Sequence, residues 1–207
     1  MARRNPRPAK SYRRKAATLE PYDAVLIVCE GEKTEPEYLK GLQRVCRLSN
    51  ANITILPADG SDPVSIVRHA LKLFQSAEGG YDRDGHVNYQ QALDQVAKSP
   101  LGKKGRLFAI TSVPCFEFWV LLHFEYTAAP FTGVGGKSAC DRVIERVCTH
   151  FPEYQKAMNG VFEKLQPLAD AAITHAARLA HHNHETGTSN PATKVHELVT
   201  YLQGLKR

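Results

Sequence analysis

The chain lacks several things that would have decided its class at once. No apolar run reaches the roughly 20 residues that a membrane-spanning helix needs. The longest, Phe116 to Phe124, is interrupted by Glu117 and His123. The N-terminal segment has no apolar core of the secretory kind, so a cytoplasmic protein without a membrane partner is expected. No CxxC pair occurs, and the cysteines are odd in number: Cys29, Cys46, Cys115, Cys140 and Cys148. That speaks against a disulfide framework or a zinc ribbon and predicts mostly small buried hydrophobes. No dinucleotide fingerprint and no Ser/His/Asp arrangement is present. The segment 127–136 holds Gly133, Gly135 and Gly136 ahead of Lys137 and Ser138. It lacks both the spacing and the preceding apolar strand of a phosphate-binding loop and reads as a linker. Acids are absent from residues 1–19.

That last absence locates the charge. Residues 1–19 carry Arg3, Arg4, Arg7, Lys10, Arg13, Arg14 and Lys15, so the rest of the chain sets 20 basic residues against 21 acids. The net charge of +6 therefore belongs to one short arm, with a near-neutral body behind it. Such an arm binds phosphates by counterion release, or serves only as a solubilising tail. Apolar residues make up 43% of the chain, enough to build a sizeable core.

Residues 24–29 read as a buried strand. A helix follows from Thr34 to about Arg47, with Thr34 as its cap, Pro36 in its first turn and Glu37 completing a capping box. Residues 52–57 alternate and are rich in β-branched side chains, which predicts a second strand. A helix capped by Asp62 runs from Pro63 to about Gln75 and stops at Gly79-Gly80. Another is expected near Tyr89 to Lys98, a third strand at Arg106–Ile110, and a buried helix from Cys115 to Phe124. This alternation predicts a parallel sheet flanked by helices. Beyond it only helical patterns occur, at about 137–150, 160–182 and 191–205. The expected division is a disordered basic arm (1–20), an α/β core (21–126) and a helical C-terminal region (137–207) packed on that core.

The main chemical candidate is Glu30, which ends the apolar run Val25-Leu26-Ile27-Val28-Cys29 before a glycine turn. Open α/β sheets bind their ligands beyond the carboxyl ends of their strands. A carboxylate there suits Mg²⁺, which takes one or two protein carboxylates together with phosphate oxygens. Glu32, Glu35 and Glu37 have a plainer explanation, since the first turn of a helix favours acids. Asp82 and Asp84 alternate along the chain and share a face if extended, although Asp-Arg-Asp-Gly is also a common turn. Together with Glu30 they would assemble a Mg²⁺ site for phosphodiester cleavage. His175, His181, His182 and His184 form a His-rich tract with His182–His184 expected in a frayed helix end, a solvated end being favoured over a transition-metal site; His86 and His123 read as packing residues.

Four segments together resemble the RloB-like family. They are Val28-Cys29-Glu30-Gly31-Glu32-Lys33-Thr34-Glu35-Pro36-Glu37-Tyr38, Asp82-Arg83-Asp84-Gly85-His86, the run from Pro114 to Glu125, and Asn190-Pro191-Ala192-Thr193-Lys194-Val195. The resemblance implies a Toprim-like α/β fold and a role in phage defence (abortive infection, beside restriction-modification loci), with a partner ATPase encoded nearby. It implies that Glu30 acts in acid/base chemistry and also meets the metal, that Asp82 and Asp84 bind Mg²⁺ or Mn²⁺, and that Glu117 is an added catalytic candidate. Two departures stand out. Ala77-Glu78-Gly79-Gly80-Tyr81 precedes Asp82 where the family has an apolar strand, so one sheet strand is expected to be missing. Val113 stands where the family usually has Asn. Two functions are therefore expected: a metal-dependent nuclease on RNA or DNA, with the basic arm and Lys33 on the phosphate backbone, or an inactive scaffold that binds a partner ATPase or nucleic acid.

Overall fold

The computed structural model describes residues 25–48, 53–58, 63–78, 94, 98 and 106–205. Its first two strands, β1 (Val25–Cys29) and β2 (Ile53–Pro57), pair in parallel, with Val25 opposite Ile53 and Cys29 opposite Pro57. The helix α1 (Thr34–Val45) makes the crossover between them, as parallel pairing requires. Gln43 ties the two elements together by donating from Nε2 to the Ile53 carbonyl at 3.1 Å. Helix α2 (Pro63–Glu78) follows β2 and lies against β1.

The start of α1 departs from its sequence pattern. Lys33 occupies the cap position, and no side chain caps the helix. The Thr34 hydroxyl instead accepts a hydrogen bond from the Ala157 N–H at 3.0 Å, so the residue that would have capped the helix joins it to a distant loop. Further along α1, Gly41 meets the short helix α5 (Val161–Leu165). A Cβ at Gly41 would lie 2.5 Å from Phe162 Cβ, so only glycine permits this approach.

Residues 106–111 form no strand, contrary to the pattern at Arg106–Ile110. Phe108 is 67% exposed there, while Leu107, Ala109 and Ile110 are half-buried, so the stretch is only partly covered. A two-residue strand follows, β3 (Ser112–Val113), which runs antiparallel to β4 (Ala192–Thr193) near the far end of the chain. The Ser112 and Thr193 hydroxyls meet at 2.7 Å, and the Lys194 N–H donates to the Thr111 carbonyl at 2.8 Å. The described sheet elements are thus a parallel pair and a separate antiparallel pair, in a mixed α/β chain whose C-terminal region is helical.

The apolar run after Pro114 forms a short helix, α3 (Glu117–Leu121), and continues in turns to Phe124. Residues 117–123 are all buried. The Tyr38 ring meets Phe116, Trp119, His123 and Phe162 edge-on at centroid distances of 5.1–6.4 Å, joining α1, α3 and α5 in one cluster. His123 Nδ1 faces the Trp119 carbonyl at 3.0 Å and so carries the proton, which leaves Nε2 to accept from the Tyr38 hydroxyl at 3.3 Å. Burial lowers the His123 pKa to about 4 and raises that of Tyr38.

The expected linker closes as a tight turn, with Val134 bridged to Lys137 and Gly135 and Gly136 at φ of +63° and +80°. Ser138 then caps α4 (Ala139–His150) in a reciprocal capping box with Asp141. The continuous helix expected over 160–182 is broken. Pro167 lies in a 3-10 turn (Gln166–Leu168) between α5 and α6 (Ala169–Thr186), since proline offers no N–H to continue the helical ladder. Helix α6 carries the histidine tract within its length, not at a frayed end, and stops at Gly187 in the left-handed region. The last helix, α7 (Val195–Gly204), begins only after β4, not at residue 191.

Candidate functional site

The carboxyl end of β1 leads into Glu30, one of the acids that the sequence singles out. Glu30 follows the strand directly and is exposed, as are Glu32 and Lys33. The next turn brings Glu35 back over the loop, where its Oε2 accepts from the Gly31 N–H at 3.2 Å. Burial raises the Glu35 pKa, and the negative charges of Glu30 and Glu117 raise it further against the pull of the Gly31 hydrogen bond. These three carboxylates therefore share one electrostatic neighbourhood. Glu35 was hidden in the sequence by the ordinary preference of a helix start for acids.

Glu117 opens α3 and is 3% exposed. One of its oxygens faces Lys156 Nζ at 3.8 Å, and the other lies 3.5 Å from Cys140 Sγ. A carboxylate at this depth is costly without a strong partner, and the Lys156 side chain is itself 57% exposed. Tyr154 feels the same charge, since burial and then Glu117 raise its pKa.

Cys115 and Cys140 are joined as a disulfide, with Cα atoms 5.8 Å apart. One disulfide thus forms although the odd count and the lack of a CxxC pair spoke against a disulfide framework. The partners lie 25 residues apart and on separate elements, so no short spacing reveals them. Cys29, Cys46 and Cys148 are free. Burial, and then the charge of Glu35, push the Cys29 thiol up to about 12, which makes it a packing residue and not a nucleophile.

Asp82 and Asp84, the predicted metal ligands, lie outside the described residues, as do Arg3, Arg4, Arg7, Lys10, Arg13, Arg14 and Lys15. Among the described residues, one group of three or more potential ligands has its donor atoms within 4.8 Å of one another: Cys115, Glu117 and Cys140. Glu30, Glu35 and Glu117 do not form so compact a group. No described helix is long and apolar enough to cross a membrane.

A helix-flanked parallel strand pair with carboxylates gathered beyond its end defines an α/β protein with a candidate acidic site. The family model described as RloB-like protein matches residues 25–202, and the chain belongs to that family. No curated protein and no solved structure matches the chain.

Proposed function

We propose that the chain is a Mg²⁺- or Mn²⁺-dependent nuclease of phage defence, built on a Toprim-like site and acting on RNA or DNA. The observation that carries this reading is the exposed Glu30 carboxylate just past β1, with Glu35 and Glu117 in electrostatic reach. A single exposed carboxylate at a strand end suits Mg²⁺, which keeps several waters and takes few protein ligands. Glu30 would hold the ion together with Asp82 and Asp84. A bound divalent cation would supply Lewis acidity for attack on the phosphodiester.

The chain's own groups divide the remaining work. Glu30 is free to take a proton from the attacking group or return one to the leaving group. Glu35, its pKa raised by burial and its Oε2 accepting from the Gly31 N–H, adds a second carboxyl to the same neighbourhood. Glu117 adds negative charge from the buried side. Lys33 and the arm residues Arg3 to Lys15 neutralise phosphates and give binding its salt dependence. Purified protein should cleave RNA or DNA only with Mg²⁺ or Mn²⁺, and Glu30→Gln should abolish that cleavage; undiminished cleavage by the variant refutes the assignment.

A second reading is a non-catalytic scaffold for a partner ATPase encoded nearby or for nucleic acid. It is favoured by the run Ala77-Glu78-Gly79-Gly80-Tyr81, which offers no apolar strand ahead of Asp82. Calorimetry separates the two. A Mg²⁺ or Mn²⁺ site that disappears in Asp82→Ala rules the scaffold out.

A further inference from the structure

We propose that in the reduced protein Cys115, Glu117 and Cys140 form a site for a thiophilic divalent cation, with Zn²⁺ the best fit. The inference is separate from the Mg²⁺ reading of Glu30, because its ligands and its preferred metal differ. Cys115 precedes α3, Glu117 begins it, and Cys140 lies in the first turn of the adjoining α4. Three donor atoms from these two elements fall within 4.8 Å of one another.

The sulfur–oxygen spacing suits zinc, and the two sulfurs, bonded to each other in the disulfide, would part on reduction. A tetrahedral centre with Zn–S of about 2.3 Å and Zn–O of about 2.0 Å separates sulfur from oxygen by roughly 3.5 Å. Cys140 Sγ and Glu117 Oε2 lie 3.5 Å apart. A disulfide sulfur carries no proton, so this approach is not a hydrogen bond; once the disulfide is reduced, the Cys140 thiolate and the Glu117 oxygen are spaced to share one divalent cation.

Charge points the same way. Two thiolates and one carboxylate around Zn²⁺ leave one excess negative charge, and Lys156 Nζ stands 3.8 Å from the other Glu117 oxygen to balance it. Thiolate sulfur favours zinc over Mg²⁺, which takes oxygen ligands. With three protein ligands, the fourth position is left for water or a substrate atom, the arrangement of reactive zinc sites as opposed to closed structural ones. Glu117 then acts as a ligand, not as a proton carrier.

The disulfide is the metal-free form of the same site. A dithiol reductant opens it by supplying two electrons and two protons and leaves as its own disulfide. Each new thiol then releases its proton as its sulfur takes the cation.

The test uses the full chain, reduced with excess dithiothreitol and desalted without oxygen. Zn²⁺ should bind one-to-one in competition with a chromophoric chelator, and Co²⁺ should give a sulfur-to-cobalt charge-transfer band. Cys115→Ser and Cys140→Ser should each remove the band. Glu117→Gln should weaken Zn²⁺ binding by more than the ~10–100-fold typical of losing an outer-shell partner. Glu30→Gln should leave the band intact even where nuclease activity is lost, which keeps the two sites distinguishable. If the serine variants fold poorly, alkylation of the wild-type protein decides the matter: Zn²⁺ should shield Cys115 and Cys140 but not Cys148. No cobalt–thiolate band in reduced wild-type protein, or equal alkylation with and without Zn²⁺, overturns the proposal.

Discussion

The strand pair β1–β2 and the segment around α3 are both apolar in sequence, yet they are covered very differently. In β1 only Cys29 is fully buried, and in β2 only Ile53. From Glu117 to His123 every residue is buried, with Phe118, Trp119, Val120, Leu121 and Leu122 wholly inaccessible. The difference separates two duties. The α3 segment anchors the core and carries α1, α4 and α5 around it, while the strand pair leads to the exposed Glu30 at its carboxyl end, where the proposed ligand chemistry would need access.

Truncation experiments can break that comparison. Trp119→Ala should cost about 3–5 kcal/mol in denaturant unfolding, whereas Ile55→Ala in the half-covered β2 should cost only about 1–2 kcal/mol. Equal losses would mean that the strands carry as much of the core as α3 does.

The pH dependence of stability sharpens it. His123 titrates near 4 in the folded protein against its ordinary 6.5. The unfolded chain therefore binds more protons between those values. Stability should be complete above pH 6.5 and fall by about 3 kcal/mol as pH drops to 4. His123→Gln should flatten that part of a stability–pH curve relative to wild type, measured by urea titration at each pH.

A smaller effect is expected where α1 meets α5. Gly41→Ala places a methyl group against Phe162 and should cost about 1–3 kcal/mol, read as a lower unfolding midpoint. The mildest change is at the surface. Ser138→Ala removes one half of the α4 capping box and should cost about 1 kcal/mol in thermal unfolding.

The legible parts of this fold are those where local pattern and burial agree. Val25-Leu26-Ile27-Val28 and Ile53-Thr54-Ile55 are runs rich in β-branched residues bracketing an amphipathic helix, and they pair as a parallel crossover should. Leu107-Phe108-Ala109-Ile110 has the same texture but no strand, because pairing depends on neighbours that the text of the segment cannot specify. The capping pattern at Thr34 was real in composition and was overruled by a contact 123 residues away. Pro167 interrupts a helical periodicity that continues on both sides of it. At the candidate site, Glu30 was legible from its place after an apolar run, and Glu117 from the motif that contains it. Glu35 was masked by its position in a first turn, and the Cys115–Cys140 pairing by its sequence separation.

The antiparallel stitch between Ser112–Val113 and Ala192–Thr193 makes the chain a closed circuit. It locks the entry to the Cys115–Glu117 segment with a fastener supplied some 80 residues later in the chain. A fragment halted before residue 190 would carry the acids and thiols of both proposed sites and still leave that entry unlatched.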